Sequence, residues 1–305
     1  MTKTMKKEEA LPAITLDFKK DNVQVIDLPT LKRTIQELDT FTHEPIRGML
    51  HWQIIDRVME LARLNGLNAR VDEIFAAHNP GKIPGVTQDR LLITQYGDHA
   101  IETYCLRRVY TTLHINNEEN DETDTGLVIT SHQDGVQIAI GPNVKMCHNQ
   151  CILSAERIVS NYGGDGKVKD FDKMFAIVDD WMKNFSYHRE QDTQVMQLMK
   201  DVNCSYRDVA ELIGHLTLQR VGVDSRLVSA GKYPLNQSQI SEFTENYLEK
   251  YKALVEAKEG TDMSLWDVYN IATESYKPDR MTIPAILPQN VAWTEMLVRH
   301  FNLIN

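Results

Sequence analysis

The segment GLVITSHQDGVQIAIGP, residues 126–142, constrains the fold more than any other part of the chain. Two apolar runs flank Asp134-Gly135, and an Asp-Gly pair favours the positive φ angles of a tight type I′ turn between antiparallel strands. A turn centred on this pair predicts three facing pairs: Gln133 with Val136, Ser131 with Ile138, and Ile129 with Ile140. The segment therefore predicts a β-hairpin whose two faces differ in chemistry.

One face of this hairpin is wholly apolar and the other is mixed, because side chains alternate between the faces of a strand. The apolar face carries Leu127, Ile129, Val136, Ile138 and Ile140. The mixed face carries Val128, Thr130, His132, Gln137 and Ala139. We expect the first face to form core, whereas the second is small and polar enough to contact a ligand.

The chain before the hairpin predicts a helix followed by further strands. Residues 50–66, LHWQIIDRVMELARLNG, have apolar side chains at helical spacing, and Gly66 lies where a C-terminal cap is expected. RLLITQY, residues 90–96, and RRVYTTLHI, residues 107–115, have strand patterns. In the second strand one face carries Arg108, Tyr110, Thr112 and His114.

Beyond the hairpin the pattern predicts helices. We expect a helix from about Val144 to Tyr162, stopped by Gly163-Gly164, and helical periodicity throughout residues 171–305. Capping-box spacings start two of those helices, Ser205 to Asp208 and Ser264 to Asp267. The predicted fold class is α+β: an antiparallel β-meander flanked by helices, followed by a mostly helical C-terminal region. The predicted divisions are an N-terminal arm (1–40), an α+β core with the sheet (41–170) and a helical region packed on that core (171–305).

Composition and charge exclude several classes of protein. No apolar run approaches the ~18 residues of a membrane span, and the start of the chain has no apolar signal-peptide core, so we expect a protein of the bacterial cytoplasm without membrane contact. Four cysteines in 305 residues do not suggest a disulfide scaffold. The net charge of −10 discourages binding of nucleic acid by the whole surface. Half of that charge lies in the acidic segment 116–125, which contains Glu118, Glu119, Asp121, Glu122 and Asp124.

The motif MCHNQC, residues 146–151, allows three interpretations. Cys147 and Cys151 share one face of a helix and would need two more ligands from distant segments to hold zinc. Cys147 beside His132 would be a nucleophile with its base. We favour two small apolar side chains packed on the sheet, and we expect no metal, no cofactor and no catalysis.

The alternating strand 107–115 suggests contact with nucleic acid. Arginine binds phosphate, and a tyrosine on a sheet offers a flat ring on which a base stacks. Thr130, His132 and Gln137 of the hairpin are expected beside Arg108 and Tyr110. An ordinary solvated sheet face is the alternative interpretation.

Two resemblances extend this hypothesis. GLVITSHQDGVQIAIGPNVKMCHNQCI resembles the core of an uncharacterised family found widely in phages, plasmids and mobile elements. Trp266, Asn270, Thr273 and Glu274 resemble the C-terminal segment of that family, although Ile271 departs slightly from its pattern. The order helix, antiparallel meander, helix is also similar to the core of single-strand annealing recombinases, which bind single-stranded DNA in a groove between sheet and helix and form rings or filaments.

These resemblances imply a single-stranded DNA-binding or annealing protein of a phage or plasmid, acting in recombination or replication as a homo-oligomer. The expected phosphate ligands are Arg107, Arg108, Lys145, Lys167 and Lys169, with Tyr110 as the stacking residue and His114 and His132 lining the groove. The alternative is a non-catalytic interaction or regulatory protein that binds a basic host partner through the acidic segment.

Overall fold

The computed structural model describes most of the chain outside its N-terminal segment and several connections. The described residues are 23–34, 49–77, 108–115, 123–132, 135–144, 149–150, 157–162, 170–221, 233–258, 260–281 and 283–303. The predicted strand 90–96 and Cys147 and Cys151 lie outside these ranges.

A seven-stranded antiparallel sheet forms the centre of the molecule. Its strands are β1 (Val23–Ile26), β2 (Ala69–Ala77), β3 (Arg108–Ile115), β4 (Thr123–His132), β5 (Gly135–Val144), β6 (Asn149–Gln150) and β7 (Ile158–Tyr162). The first five follow one another across the sheet, and β6 and β7 both pair with β5. The part of this order formed by β3, β4 and β5 is the meander that the alternating segments predict, whereas β2, β6 and β7 are not predicted.

Helices cover both faces of the sheet. They are α1 (Leu28–Arg33), α2 (His51–Leu64), α3 (Phe171–Lys183), α4 (Phe185–Asp201), α5 (Tyr206–Val221), α6 (Gln237–Ala257), α7 (Leu265–Thr273) and α8 (Ile283–His300). Two short strands that are distant in the chain, β8 (Asn203–Cys204) after α4 and β9 (Met263–Ser264) before α7, form an antiparallel pair. The α+β fold class with a mostly helical C-terminal region is confirmed.

The helix predicted over residues 50–66 is confirmed as α2. The backbone N–H of Leu50 donates to Oε1 of Gln53 at 2.7 Å, which satisfies one donor at the start of the helix. Gly66 ends it with φ at 73°, a left-handed conformation that glycine adopts without strain. The predicted caps also form: the N–H groups of Asp208 and Asp267 donate to the hydroxyls of Ser205 and Ser264.

The helix predicted from Val144 to Tyr162 is wrong. Strand β5 continues to Val144, Asn149 pairs with it, and residues 158–162 form β7 along the other part of β5. The local sequence ILSAERIVSNY suits a helix, but the free backbone edge of β5 offers a ladder of hydrogen bonds that no local pattern reveals. Tertiary pairing therefore overrides the helical periodicity.

The predicted register of the β4–β5 hairpin is also wrong, by two residues. Ser131 lies opposite Val136 and His132 opposite Gly135, so only residues 133 and 134 connect the strands. A shift of two residues leaves every side chain on its original face, whereas a shift of one would exchange the faces. The assignment of side chains to the two faces therefore remains correct.

One sheet face, here called the aliphatic face, packs on α1, α2 and α3. Eleven buried residues of the main sheet belong to this core: Ile74, Ala76, Val109, Leu113, Ile115, Leu127, Ile129, Val136, Ile138, Ile140 and Val159. The helices add branched and aromatic side chains, among them Ile54, Val58, Val178 and Trp181. Burial of this much apolar surface, at roughly 25 cal/mol per Å², is the main stabilising contribution on this side.

The opposite face, here called the polar face, is covered by α4–α8, which we call the helical layer. Helix α8 contacts β3 and β4, and α4 contacts β5. The core on this side is made mostly of residues of the layer itself, including Phe243, Tyr269 and Trp293. None of the helices in the described part of the chain combines the length and the apolar character needed to span a membrane.

Candidate nucleic-acid interface

The sheet register brings several of the predicted binding residues together on the polar face. Arg108 pairs with His132, which pairs with Gly135, and Gly135 in turn pairs with Tyr162. This line of residues, here called the arginine row, crosses four strands at the end of the sheet that holds the β4–β5 turn. We call that end the hairpin end.

A second line lies two residues further along the strands and is here called the tyrosine row. It consists of Phe75, Tyr110, Thr130, Gln137 and Ser160, each paired with the next. The sequence places Thr130, His132 and Gln137 beside Arg108 and Tyr110; in the sheet Thr130 and His132 lie on the neighbouring strand, opposite Tyr110 and Arg108, and Gln137 lies one strand further, opposite Thr130. Phe75 and Ser160 are not predicted, because the local pattern around Ser160 favours a helix and no local pattern pairs β2 with β3.

The tyrosine row is a chain of ring contacts and weak hydrogen bonds. The rings of Phe75 and Tyr110 meet edge to face, with centroids 6.0 Å apart. The hydroxyl of Thr130 donates to Oε1 of Gln137 at 3.3 Å, and Nε2 of Gln137 donates to the hydroxyl of Ser160 at 3.4 Å. Aromatic rings stack on bases, and amide and hydroxyl groups hydrogen-bond to base edges. The row thus has the chemistry of a base-binding surface.

The helical layer covers the middle of this surface. Tyr110 is 5% exposed, Thr130 is fully buried and Gln137 is 3% exposed. At the margins Ser160 is exposed, and Phe75 and Arg108 are half-buried. The expectation that the mixed face is open to a ligand is therefore wrong for this conformation. In it the ring of Tyr110 packs in the core rather than facing solvent, so a base cannot stack on it.

His114 does not join the residues of the hairpin end. It lies six residues along β3 from Arg108, about 20 Å at the rise of a strand, and pairs with Gly126. Its Nε2 lies 3.1 Å from Oδ2 of Asp72, at a bulge in β2 between Val71 and Glu73. The predicted grouping of His114 with His132 is therefore wrong, because the β3–β4 register puts them at different ends of the sheet.

Lys145 is likewise separated in the chain from the arginine row. Val144, which precedes it, pairs with Thr123 at the far end of β5. Val144 lies nine residues along β5 from Gly135, about 30 Å at the rise of a strand. Lys145 itself lies outside the described residues, as do Arg107, Lys167, Lys169, Glu118, Glu119, Asp121 and Glu122.

Three of these basic residues are nevertheless close in the chain to the arginine row. Arg107 directly precedes Arg108, and Lys167 and Lys169 follow Tyr162 by five and seven residues. The acidic segment, in contrast, joins Ile115 to Thr123, which are the ends of β3 and β4 remote from the turn. Asp124 pairs with Asn143 there. Arg107, Lys167 and Lys169 thus belong to segments attached to the hairpin end, whereas the acidic segment, like Lys145, is attached to the opposite end.

A buried ion pair connects the start of β7 to α4 and is not predicted from the sequence. Nη2 of Arg157 donates to Oδ1 of Asp192 at 3.3 Å, to Oε1 of Gln191 at 3.2 Å and to the carbonyl oxygen of His188 at 3.4 Å. Arg157 is 7% exposed and Asp192 3%. Burial raises the pKa of Asp192 to about 7, although the guanidinium of Arg157 lowers it. Burial, followed by the charge of Arg157, lowers the pKa of His188.

Several polar atoms of this ion pair remain unsatisfied. Nη1 of Arg157, Oδ2 of Asp192 and both ring nitrogens of His188 are buried, and the described residues offer them no hydrogen-bond partner. A buried polar atom without a partner costs about 1–3 kcal/mol. The contact between α4 and β7 is therefore weaker than its burial suggests.

The described residues show no arrangement suited to metal or thiol chemistry. No group of three or more His, Cys, Asp or Glu side chains within them is placed to hold a metal ion. Burial, and then the charges of Asp208, Asp262 and Asp267, raise the pKa of Cys204 to about 12. Cys204 is therefore a neutral thiol and is a poor nucleophile.

Comparison with known proteins does not add to this description. No protein-family model matches the chain, and neither the curated proteins nor the solved structures give a significant match. The functional interpretation therefore depends on the residues of this chain.

Proposed function

We propose that this protein binds single-stranded nucleic acid without catalysing a reaction, in the recombination or replication of a phage or plasmid. The observation that carries the proposal is the sheet register, which sets the arginine row beside the tyrosine row on one face. Phosphate groups need cations, and unpaired bases need aromatic and amide groups, at a spacing of one nucleotide or less. Two adjacent rows meet that requirement.

Phosphate binding is assigned to the hairpin end. Arg108 is described there, and Arg107, Lys167 and Lys169 belong to segments that start or finish at the same row. Because the whole chain carries a net charge of −10, attraction to a polyanion requires such a local concentration of basic residues. Each phosphate neutralised adds to the salt dependence of binding.

Base binding is assigned to the tyrosine row in a conformation in which the helical layer has moved off the polar face, because Tyr110, Thr130 and Gln137 are buried beneath that layer when it is closed. Tyr110 supplies the ring, and the Gln137 amide and the Thr130 hydroxyl supply donors and acceptors. Stacking on a protein ring is worth about 1–3 kcal/mol per base and tolerates any sequence. The proposal therefore predicts binding with weak sequence preference and a preference for unpaired strands.

Fluorescence anisotropy with a labelled oligothymidylate of about 30 nucleotides, and with its duplex, tests this proposal. We expect the full chain to prefer the single strand and to lose affinity at least tenfold between about 50 and about 200 mM salt. The triple variant Arg108→Ala, Lys167→Ala, Lys169→Ala should bind at least tenfold more weakly. The control variant Lys145→Ala alters a cation that follows the far end of β5, and should bind like the wild type.

Two results would contradict the proposal. One is the absence of binding to either oligonucleotide at the lower salt concentration. The other is binding that the triple variant retains, which would remove the arginine row from the interface. Thermal unfolding of each variant shows whether a loss of affinity comes from a loss of folding.

A second candidate function is capture of a basic protein partner through the acidic segment. It is favoured by the attachment of that segment to Ile115 and Thr123, at the end of the sheet opposite the arginine row. Replacing Glu118, Glu119, Asp121, Glu122 and Asp124 by their amides should abolish binding of a polylysine probe and leave oligothymidylate binding unchanged or stronger. Unchanged polylysine binding would contradict this candidate.

A further inference from the structure

The polar face is unusual for a surface that is permanently covered. Thr112, Thr130 and Gln137 are buried against the helical layer. The hydrogen bonds from Thr130 to Gln137 and from Gln137 to Ser160, at 3.3 and 3.4 Å, are longer than the usual range for their donor types. Burying hydroxyl and amide groups with poor partners is unfavourable by about 1–3 kcal/mol each. The covered state of this face is therefore only weakly stabilised.

The helical layer does not depend on the sheet for its own core. Of the fully buried residues described in that core, four belong to the main sheet: Ala77, Tyr110, Val128 and Ala139. Two of these are alanines, which bury little apolar area. The aliphatic face contributes eleven residues to its core, most of them Ile, Leu or Val. The layer therefore keeps most of its buried contacts when it moves away from the sheet.

The buried ion pair holds the first helix of the layer against the sheet edge. Arg157 precedes β7, and its three acceptors all belong to α4. The pair leaves buried atoms of both residues without partners among the described residues. A buried pair of this kind adds little net stability, yet it strongly prefers to be complete because either charge alone is costly to bury.

We propose that the helical layer is a lid that opens from the polar face to expose the tyrosine row, and that the Arg157–Asp192 contact holds α4 in the closed position. The identity of the ligand, a single-stranded nucleic acid, rests on the function proposed above. The proposal that the layer opens is based on the difference in packing between the aliphatic face and the polar face. Opening replaces the weak hydrogen bonds of the tyrosine row with contacts to water or to bases, and leaves the aliphatic face unchanged.

Two variants of the ion pair shift the lid in opposite directions. Arg157→Met leaves the carboxylate of Asp192 buried without a counter-ion and removes all three hydrogen bonds to α4, so the open state is favoured. The double variant Arg157→Met, Asp192→Leu replaces the pair with apolar side chains, which pack without unsatisfied atoms and favour the closed state. We expect oligothymidylate affinity to rise about threefold in the first variant and to fall about threefold in the second.

Thiol labelling tests the opening without any ligand. Thr130→Cys places a thiol on the polar face and Thr111→Cys places one on the aliphatic face; both threonines are fully buried. Each variant, in the full-length protein, is treated with N-ethylmaleimide under native conditions, and modification of the new cysteine is followed by peptide mass spectrometry. We expect Cys at 130 to react at least tenfold faster than Cys at 111, because opening of the layer needs less free energy than global unfolding. Equal labelling rates at positions 130 and 111 would contradict the proposal that the layer opens.

Labelling of these cysteine variants, together with oligothymidylate binding by the wild type, distinguishes failure of the lid from failure of the proposed function. Fast labelling at position 130 together with no binding of oligothymidylate supports the lid and overturns the nucleic-acid ligand. Tight binding together with equal, slow labelling at the two positions overturns the lid and leaves the ligand. If Arg157→Met does not accelerate labelling at position 130, the ion pair is not the contact that holds the lid.

Discussion

The aliphatic face and the polar face of the sheet are covered by helices in two different ways. On the aliphatic face, α2 and α3 share one continuous core with eleven sheet residues, and strands and helices bury each other. On the polar face, the helical layer has a core made mostly of its own residues, to which the sheet adds four buried residues, Ala77, Tyr110, Val128 and Ala139, and three partly buried ones, Val23, Phe75 and Ile158. The same strands thus take part in one contact that is required for folding and one that is separable from it.

This difference follows from the alternation of side chains along β3, β4 and β5. Neighbours in the sequence such as Thr130 and Ile129 lie on opposite faces, and selection for core packing acts on only one of them. A face that must pack permanently accumulates branched aliphatic residues. A face that contacts a polar ligand retains residues such as Gln137 and Tyr110, even where helices cover it.

The largest expected effect is on the aliphatic face. Leu127→Ala removes a fully buried side chain there and should lower the free energy of unfolding by ~3 kcal/mol, measured by urea denaturation. Tyr110→Leu, on the polar face, should change the same quantity by less than ~1.5 kcal/mol, since leucine refills much of the space of the ring and a lost hydroxyl contact is worth about 1 kcal/mol. A greater loss of unfolding free energy in Tyr110→Leu would contradict the proposed difference between the two faces.

The second prediction concerns how the stability contributed by Asp192 changes with pH. Asp192 has a pKa of about 7 in the folded protein against about 3.9 in an unfolded chain, so the folded state binds the proton more tightly. The stability that comes from the protonated form is complete below the unfolded pKa and is lost as the pH rises through 7. Between pH 5 and 8 the wild type should lose about 2 kcal/mol relative to Asp192→Asn.

Thermal or urea unfolding of both proteins at the two pH values measures this difference. His188, whose pKa is lowered, acts in the opposite sense, because its neutral form is lost as the pH falls below its unfolded value. That contribution is shared by both proteins and is removed by comparing them. If the free energy of unfolding changes equally between pH 5 and 8 in the wild type and in Asp192→Asn, the raised pKa of Asp192 is contradicted.

A third prediction concerns the internal core of the helical layer. The hydroxyl of Tyr269 donates to Oδ1 of Asn290 at 2.9 Å, and both residues are buried between α7 and α8. Asn290→Ala should destabilise the layer by about 1–3 kcal/mol, because a buried hydroxyl loses its acceptor. Hydrogen exchange should then accelerate in α7 and α8 and stay slow in β3 and β4. Acceleration in all four elements together would show that the layer and the sheet unfold as one unit.

The smallest expected effect is at Cys204. This thiol is fully buried inside the helical layer, and its raised pKa keeps it protonated. If the layer moves as a unit, its own core stays closed during opening, so N-ethylmaleimide should leave Cys204 unmodified while Cys at position 130 reacts. Modification of both cysteines at similar rates would mean that the layer unfolds instead of opening.

The sequence predicts the parts of the fold that depend on local pattern. Strict alternation identifies β3 and the faces of β4 and β5, and apolar spacing with Gly66 identifies α2. Strand β7 is missed because residues 158–162 become a strand only through pairing with β5, a contact distant in the chain. The hairpin register is missed because registers two residues apart bury the same side chains.

The sequence predicts which residues make up the candidate site, but it does not predict that helices cover them. Alternation of side chains along the strands is enough to place Tyr110, Thr130 and Gln137 on one face. Whether helices cover that face depends on how residues 185–300 fold back on the sheet, which no local pattern expresses. The ion pair of Arg157 and Asp192 is missed for the same reason, since 35 residues separate its partners.

Photo-cross-linking tests the central claim, that the tyrosine row contacts single-stranded nucleic acid, most directly. The full chain is irradiated with an oligonucleotide containing 5-bromodeoxyuridine, and the attached peptides are identified by mass spectrometry. The account predicts cross-links in β2 and β3, at Phe75 and Tyr110, and a yield about threefold lower in the double variant Arg157→Met, Asp192→Leu, in line with its weaker binding. Cross-links confined to the outer surfaces of α5 and α6, with none in β2 or β3, would contradict it.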